Sequence, residues 1–234
     1  MAISRTYDSV FKEIGEIHAK KHRRTHPLWV ALMQGELSKP QVREYIKQFG
    51  VVPLYNHFYH GPLYMSCPDP EWRPRMAEVV YEEGTGRIFS DGIPHWKLYL
   101  NLGEAFGISK EEMYGAQLCA GSLALRSYMT EVCHRGFLEG IAATSLGGEA
   151  QVVGVAGKVS QAMMKYYGCT PEQAAFYTVH EEADKDHSDA GIDFLKQFAT
   201  TDADIEMVLR TVRNTVEVWW AFYDDMWRVV KAVH

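Results

Sequence analysis

Three side chains that commonly bind metals share one stretch of the sequence, VHEEADKDHSDAG, at residues 179–191. His180, Asp184 and His187 are spaced four and then three residues apart, so a helix would place all three on one face. That face should be turned toward a core, because apolar residues continue the same stripe: Phe176, Ala183, Ala190, Phe194 and Phe198. Burying these polar groups without partners would be costly, so hydrogen-bond partners or a metal ion must satisfy them, and three ligands on one face favour metal.

Other helices should supply matching ligands, and acidic residues within apolar stripes are the candidates. Glu149 lies in the middle of an apolar series between residues 138 and 163, where a salt bridge to an inward arginine is the alternative explanation. Glu83 ends the apolar face of the segment RMAEVVYEEGTG, and its neighbour Glu82 is the weaker candidate. His95 opens the segment HWKLYLNLGEAFG, where a surface histidine at a helix start is the alternative.

The complete candidate set combines three carboxylates with three imidazoles: Glu83, His95, Glu149, His180, Asp184 and His187. This mixture suits a pair of iron or manganese ions better than one structural zinc, which favours four ligands and often thiolates. The carboxylates of Glu83, Glu149 and Asp184 are therefore also the predicted catalytic groups. A minor alternative is a zinc-protease-like site, since His180-Glu181-x-x-Asp184 resembles the H-E-x-x-H motif with its second histidine replaced.

Composition limits the class of protein. The chain has 234 residues, of which 47% are apolar and 23% charged, as is typical of a globular protein with a substantial core. A net charge of −6 argues against a nucleic-acid partner. The start of the chain lacks the apolar core of a secretory signal and no stretch reads as a membrane span, so we expect a cytoplasmic protein without a membrane partner. The four cysteines form no C-x-x-C pair and fit reduced thiols.

The hydrophobic period is helical along almost the whole chain, and no convincing strand alternation occurs. Short breaks that carry proline, glycine, threonine or aspartate separate the helices, and no linker, repeat or low-complexity tract is present. The sequence therefore predicts one all-α domain at residues 1–234. Its helices are predicted at residues 6–23, 39–64, 70–84, 94–106, 120–134, 136–167, 171–198 and 202–232.

The sequence resembles the haem-oxygenase-like α-helical bundle, in the branch that holds pyrroloquinoline-quinone synthase, thiaminase-II proteins and diiron oxidases. The stretches HPLW, KPQVREYI, CPDP and LGEAFGIS are most similar to the quinone synthases. The ligand set resembles the diiron oxidases, and the H-x-x-x-D-x-x-H motif matches theirs without a gap. The resemblance implies a bundle of seven to eight helices that holds two Fe(II)/Fe(III) ions, with manganese as the alternative metal, and that uses O₂ as co-substrate.

The sequence departs from the diiron pattern between Glu83 and His95. Diiron members place these two ligands closer together, whereas here GTGRIFSDGIP separates them. Three glycines and a proline in this stretch make a continuous helix improbable, so a loop or kink must return His95 to the site. Asp91 and Glu82 are the alternative ligands.

By resemblance, the reaction is oxidation of a small, amino-acid-like molecule by desaturation, C–C cleavage, N-oxygenation or rearrangement, in a homodimeric enzyme. One alternative is a metal-free oxidase of the quinone-synthase type, in which the same polar cluster binds an aromatic substrate. Another is a thiaminase-II-like hydrolase or a binding protein on the same bundle. The hydrolase would need a nucleophilic cysteine, for which Cys133 is the candidate.

Several residues are candidates for contact with the substrate. Arg135 is the preferred partner of a substrate carboxylate among the arginines, although a structural salt bridge is the better explanation for any single arginine of this kind. Four further side chains are expected to line the pocket, with core packing as the alternative for the aromatic ones: Tyr55, His57, His60 and Tyr177.

Overall fold

A computed structural model of the protein describes residues 3–233, so the ends of the predicted domain 1–234 lie outside the described residues. The described part is built from helices without any strand. Its twelve α-helices are α1 (Tyr7–Lys20), α2 (Pro27–Gln34), α3 (Lys39–Phe49), α4 (His57–Ser66), α5 (Arg73–Thr85), α6 (His95–Ala105), α7 (Lys110–Tyr114), α8 (Ala120–Arg135), α9 (Phe137–Ile141), α10 (Ala156–Tyr167), α11 (Ala175–Phe198) and α12 (Asp202–Lys231).

The all-α prediction is confirmed, but the predicted number of seven to eight helices is wrong. The predicted helix 39–64 is divided between α3 and α4, because Pro53 lacks a backbone N–H and disfavours helical geometry at the residue before it. The predicted helix 136–167 is interrupted after α9. Two short helices, α2 and α7, were not predicted. No helix of residues 3–233 is long and apolar enough to cross a membrane.

Local sequence signals fix several helix ends. α3 begins with a capping box, in which the side chains of Ser38 and Gln41 each accept a hydrogen bond from the backbone of the other. Thr201 and Asp204 form the same arrangement at the start of α12. α10 ends at Gly168, whose φ of 76° is readily adopted by glycine. These caps position the long helices that enclose the centre of the bundle.

α12 is the longest helix and supports much of the core. It packs against α1, α3, α8 and the segment that follows α9. Its inner face contributes large buried side chains, among them Trp219, Phe222 and Tyr223. Trp29 of α2 meets Tyr223 edge to face, with ring centroids 5.6 Å apart. Aromatic side chains thus pack against one another in this part of the core, in the edge-to-face arrangement that their rings prefer.

The interruption after α9 is a π-helix at Ala142–Gly148, followed by a single 3₁₀ turn at Glu149–Gln151. Two glycines allow close packing around it. A Cβ added at Gly147 would lie 2.8 Å from Thr215 of α12, and one added at Gly191 of α11 would lie 2.5 Å from the Cβ of Ser145. The π-helix is thus held tightly between α11 and α12, and Glu149 follows it directly. Segments of this kind often occur at functional sites.

Replacement of Gly191 by alanine should destabilise the fold, because the new methyl group would overlap the π-helix at Ser145. We expect a loss of about 1–3 kcal/mol in the free energy of unfolding, measured by urea denaturation. Gly15→Ala is the matched control, since Gly15 is exposed in α1 and a Cβ there would meet nothing within 4 Å. The control should be unchanged or slightly stabilised. Equal stability of the two variants would contradict the close contact.

Candidate metal centre

α11 carries three of the candidate ligands into the interior of the bundle. Asp184 and His187 are buried, and His180 is partly buried. Their spacing of four and three residues places them along one face, as the helix period requires. Neighbouring Ala183, Ala190 and Phe194 are buried on the same side. The α11 stripe therefore runs continuously from apolar packing into a polar cluster.

The six predicted ligands form two neighbouring groups of three. One group comprises Glu83, His95 and His180, and each residue has a potential ligand atom within 4.8 Å of the other two. The second group meets the same criterion and comprises Glu149, Asp184 and His187. The groups are linked along α11, which contributes His180 to the first and the remaining two α11 residues to the second. Four separate segments of the chain thus contribute to one compact cluster: α5, α6, the 3₁₀ turn at Glu149–Gln151 and α11.

A tight turn at residues 86–94 returns the chain from α5 to α6 and brings His95 back to Glu83. The turn depends on Gly86, where φ is 64° and a Cβ would lie 2.0 Å from the carbonyl oxygen of Ile93. Asp91 is exposed on this turn. His95 Nδ1 lies 3.1 Å from Glu83 Oε2.

Glu82 holds this turn in place and orients His95. Its buried carboxylate accepts hydrogen bonds from the backbone N–H of Ile88 (2.6 Å) and of Phe89 (3.2 Å), and from the hydroxyl of Ser90 (3.2 Å). It also lies 2.9 Å from His95 Nε2, so this nitrogen can donate to it. The other ring nitrogen, Nδ1, is left facing the cluster. Glu82 is thus a supporting residue for His95.

Further hydrogen bonds orient the remaining ligands. His180 Nδ1 donates to the carbonyl oxygen of Phe176 at 2.6 Å, which leaves Nε2 free. His60 Nε2 lies 3.1 Å from Glu149 Oε1, and the amide of Asn56 donates to Glu83. Glu181 accepts from backbone N–H groups of the segment after Glu149, at 2.7 and 2.8 Å. Glu181 therefore has a structural role here, unlike the catalytic glutamate of the H-E-x-x-H alternative.

The buried charges perturb one another strongly. Burial and the charges of Glu149 and Glu83 raise the pKa of Asp184 well above its usual value. Burial would also raise the pKa of Glu83, but the charge of His95 overcomes this and lowers it well below its usual range. Conversely, burial opposes the charge of His95, yet Glu83 and Glu82 raise its pKa to about 9. Burial and nearby His95 lower the pKa of His180 to about 3.

The donor set fits a pair of metal ions. The Nδ1 atoms of His95 and His187 are buried and form no hydrogen bond in residues 3–233, although such nitrogens are normally satisfied. Glu83 Oε2 lies 3.1 Å from His95 Nδ1, but this contact lacks hydrogen-bond geometry. Each of the two groups of three offers imidazole and carboxylate ligands, which suit iron and manganese. In the first group, the other ring nitrogens of His95 and His180 have the hydrogen-bond partners that orient metal-binding histidines.

A cavity of about 90 Å³ adjoins the cluster and is lined by Glu83, Glu149, His180 and Asp184. Most of its remaining wall is apolar, with Leu125, Met129, Val155, Val159 and Phe176 among the lining residues. A pocket of this composition can bind a small molecule with an apolar body beside the metal centre.

The predicted substrate residues are divided between the cavity and the surface. His60 and Tyr177 line the cavity, and the Tyr177 hydroxyl is hydrogen-bonded to that of Tyr45. The structure does not bring the other three there. His57 is exposed, and Tyr55 lines a separate surface groove. Arg135 is exposed and pairs with Glu131 at 2.7 Å and with Glu139 at 3.4 Å.

Sequence reasoning missed the roles of three residues that the structure places at the site. Arg23 is buried and lines the cavity, although it lies in the basic stretch at residues 20–24, a composition that is typical of a solvated helix end. Asn56 reaches Glu83 from the break between α3 and α4. Glu82 was considered only as a substitute ligand. None of the three carries a local sequence signal, because each acts through contacts with distant segments.

Residues 43–220 match the protein family described as "Iron-containing redox enzyme". The match spans more than half of the 234 residues, and the chain therefore belongs to this family. The resemblance noted in the sequence is thus confirmed at the level of the family.

Individual relatives agree with this assignment. A 4-aminobenzoate synthase of Chlamydia muridarum is 26% identical over 228 residues, covering 95% of this chain and 92% of the relative. A pyrroloquinoline-quinone synthase of Xanthomonas campestris is 25% identical over 227 residues, covering 94% and 87%. A solved domain from Shewanella denitrificans with a haem-oxygenase-like fold has a TM-score of 0.72 at 15% identity, covering 96% of this chain and 91% of that one. The described fold is therefore haem-oxygenase-like.

Glu82→Gln should weaken metal binding at the group formed by Glu83, His95 and His180. Glutamine has one acceptor oxygen where Glu82 has two, so its NH₂ group must face either the N–H of Ile88 or His95 Nε2, and the turn that orients His95 is weakened in both cases. We expect about a 10- to 100-fold loss of ferrous affinity at one site, measured by anaerobic titration. Glu78→Gln is the control, because Glu78 lies exposed on the same helix. Unchanged affinity in Glu82→Gln would rule out this role.

Metal binding should release protons near neutral pH. The pKa of His95 is raised to about 9, so the metal-free protein holds this proton at pH 7.5, and a metal on Nδ1 must displace it. We expect release of at least one proton per chain, decreasing as the pH rises through about 9, measured with a pH indicator during Zn²⁺ addition. His95→Gln should release fewer protons, while His134→Gln, at an exposed histidine, should match the wild type. Binding without proton release would contradict the arrangement.

Proposed function

We propose that the protein is a non-haem diiron oxidase or oxygenase that activates O₂ and oxidises a small, amino-acid-like metabolite. The observation that carries the proposal is the pair of adjacent three-ligand groups, which share α11 and contain buried histidine nitrogens without partners. Membership of a family of iron-containing redox enzymes supports iron as the metal, with manganese as the alternative. The 4-aminobenzoate synthase relative supports a biosynthetic reaction.

The iron ions, when bound, would supply O₂ binding and electron transfer. The role of the chain is to hold the ligands and to shape the adjoining cavity. Glu83, Glu149 and Asp184 would balance the positive charge of the metals, and their catalytic role would be to retain the ions. His60 holds Glu149 through the contact at 3.1 Å. The apolar wall of the cavity would limit the access of water to a bound substrate.

The thiaminase-II-like alternative lacks a reactive thiol at the cavity. Cys133 is buried in α8 and is not among the residues that line the cavity of the described structure. Burial, together with the charge of Glu149, raises the pKa of its thiol to about 12, so the thiolate is disfavoured near neutral pH. Cys133 therefore does not support nucleophilic catalysis.

The metal-free oxidase is the second candidate, and the quinone-synthase relative is the observation that favours it. In that reaction the cluster would bind substrate with its imidazoles and carboxylates alone. The unpartnered nitrogens of His95 and His187 and the mutual repulsion of the carboxylates favour metal instead. Desaturation, C–C cleavage, N-oxygenation and rearrangement are all open to the proposed diiron centre. The homodimer stays a prediction.

Anaerobic titration with Fe(II) should saturate at about two ions per chain, one for each group of ligands. Asp184→Ala should lose at least one of them, because Asp184 is buried among the ligands of the second group. Asp189→Ala removes the same side chain from the exposed side of α11 and should retain both ions. Full iron content in Asp184→Ala would refute the assignment of this ligand.

O₂ consumption should depend on the bound iron. The ferrous protein should take up O₂ in an oxygen-electrode measurement, and the Asp184→Ala variant should take up far less. The chelated, iron-free protein provides the comparison. Undiminished O₂ uptake by the iron-free protein with a reducing aromatic substrate would favour the metal-free oxidase.

A further inference from the structure

Arg23 is a buried arginine without an acidic partner. It is only 5% exposed, and no carboxylate of residues 3–233 lies within 4.0 Å of its guanidinium. Its Nε donates to the hydroxyl of Tyr223 at 2.8 Å, whereas its two terminal nitrogens have no acceptor among the described residues. Arginine is rarely buried without a pairing anion, because its charge is then poorly compensated.

Two tryptophans surround this guanidinium. Its central carbon lies 5.1 Å from the ring centroid of Trp29 and 5.2 Å from that of Trp219, close enough for cation–π attraction. The indole N–H groups of both tryptophans are also buried without an acceptor in the described structure. All three side chains line the cavity beside the candidate metal centre. This part of the cavity therefore has unused hydrogen-bond donors and a positive charge, but no carboxylate of residues 3–233 pairs with the guanidinium.

By contrast, the candidate metal centre contributes negatively charged acceptors to the cavity. Glu83, Glu149 and Asp184 line the same cavity and contribute carboxylates, while apolar side chains form most of the wall. A molecule that occupies the whole cavity would thus meet hydrogen-bond donors and a positive charge at Arg23, an apolar surface along its body, and the metal ligands at the reacting end. Arginine binds carboxylates through paired hydrogen bonds, and the tryptophan N–H groups can add further donors.

We propose that Arg23, Trp29 and Trp219 form a binding subsite for the carboxylate of a small-molecule acid with an apolar body. This proposal rests on the proposed function, because it assigns the contacts of the substrate carboxylate, at the end of the molecule that is not oxidised. It transfers the role of carboxylate partner from the exposed Arg135 to a buried residue. The interaction is strong because the cavity removes water from both charges, so the orientation of the substrate follows from it.

The test compares acids with their neutral amides. Benzoate, benzamide, hexanoate and hexanamide are titrated into the anaerobic ferrous protein by calorimetry. At least one acid should bind at least about 30-fold more tightly than its amide, the ratio expected for a desolvated charge pair. Equal affinity for acid and amide, or no binding of either acid, would overturn the subsite. This comparison uses the unaltered protein and does not depend on the folding of a variant.

Variants then locate the interaction. Arg23→Met should lose the preference for the acid by about 30-fold or more. Arg24→Met removes the same charge from the exposed neighbouring residue and should bind like the wild type. An acid that binds the iron directly, without Arg23, would retain its affinity in Arg23→Met, and that result would overturn the proposal.

Iron content separates this proposal from the proposed function. Arg23 is not a metal ligand, so Arg23→Met should still bind Fe(II) to the wild-type stoichiometry. If the wild-type protein binds two irons but shows no preference for the acid, the carboxylate subsite is refuted and the diiron assignment stands. If the wild-type protein binds no iron but its metal-free form still prefers the acid to the amide, the carboxylate subsite stands and the diiron assignment is refuted.

Discussion

Electrostatic repulsion among three carboxylates in one buried cavity is the constraint on which the site depends. Burial and the charges of Glu149 and Glu83 raise the pKa of Asp184, so the metal-free fold favours its protonated form. His95 and His60 offset the remaining negative charge, and the pKa of each is raised despite burial. Divalent cations would replace these protons with fixed positive charge. The three buried carboxylates are thus compatible with a folded protein only when protons or metal ions neutralise their charge.

The sequence predicts the helical class well but not every helix. Hydrophobic period and caps identified long helices such as α11 and α12, whose apolar faces repeat over many turns. The π-helix after α9 was missed, because its apolar pattern merges with those of its neighbours and close packing through Gly147 and Gly191 involves distant helices. The short α2 and α7 carry too few turns to establish a period.

The candidate ligands could be proposed from sequence because polar residues interrupt apolar stripes. Their grouping required coordinates, since the return of His95 depends on the turn that Gly86 allows. The role of Glu82 likewise could not be predicted from the sequence alone. Its acidic side chain was visible in the sequence, but its acceptance of backbone hydrogen bonds from Ile88 and Phe89 was not. Arg23 was masked by the basic residues beside it, which are exposed or only partly buried.

The turn at residues 86–94 has a thermodynamic consequence. The turn joins two helices that each carry a ligand. Local opening of the turn would therefore separate Glu83 from His95 and disrupt the group of ligands that contains them. Metal binding and opening are therefore competing equilibria, and each tenfold increase in free metal above the dissociation constant stabilises the closed turn by about 1.4 kcal/mol. The backbone N–H groups of Ile88 and Phe89, which are bonded to Glu82, become reporters of metal occupancy through their hydrogen-exchange rates.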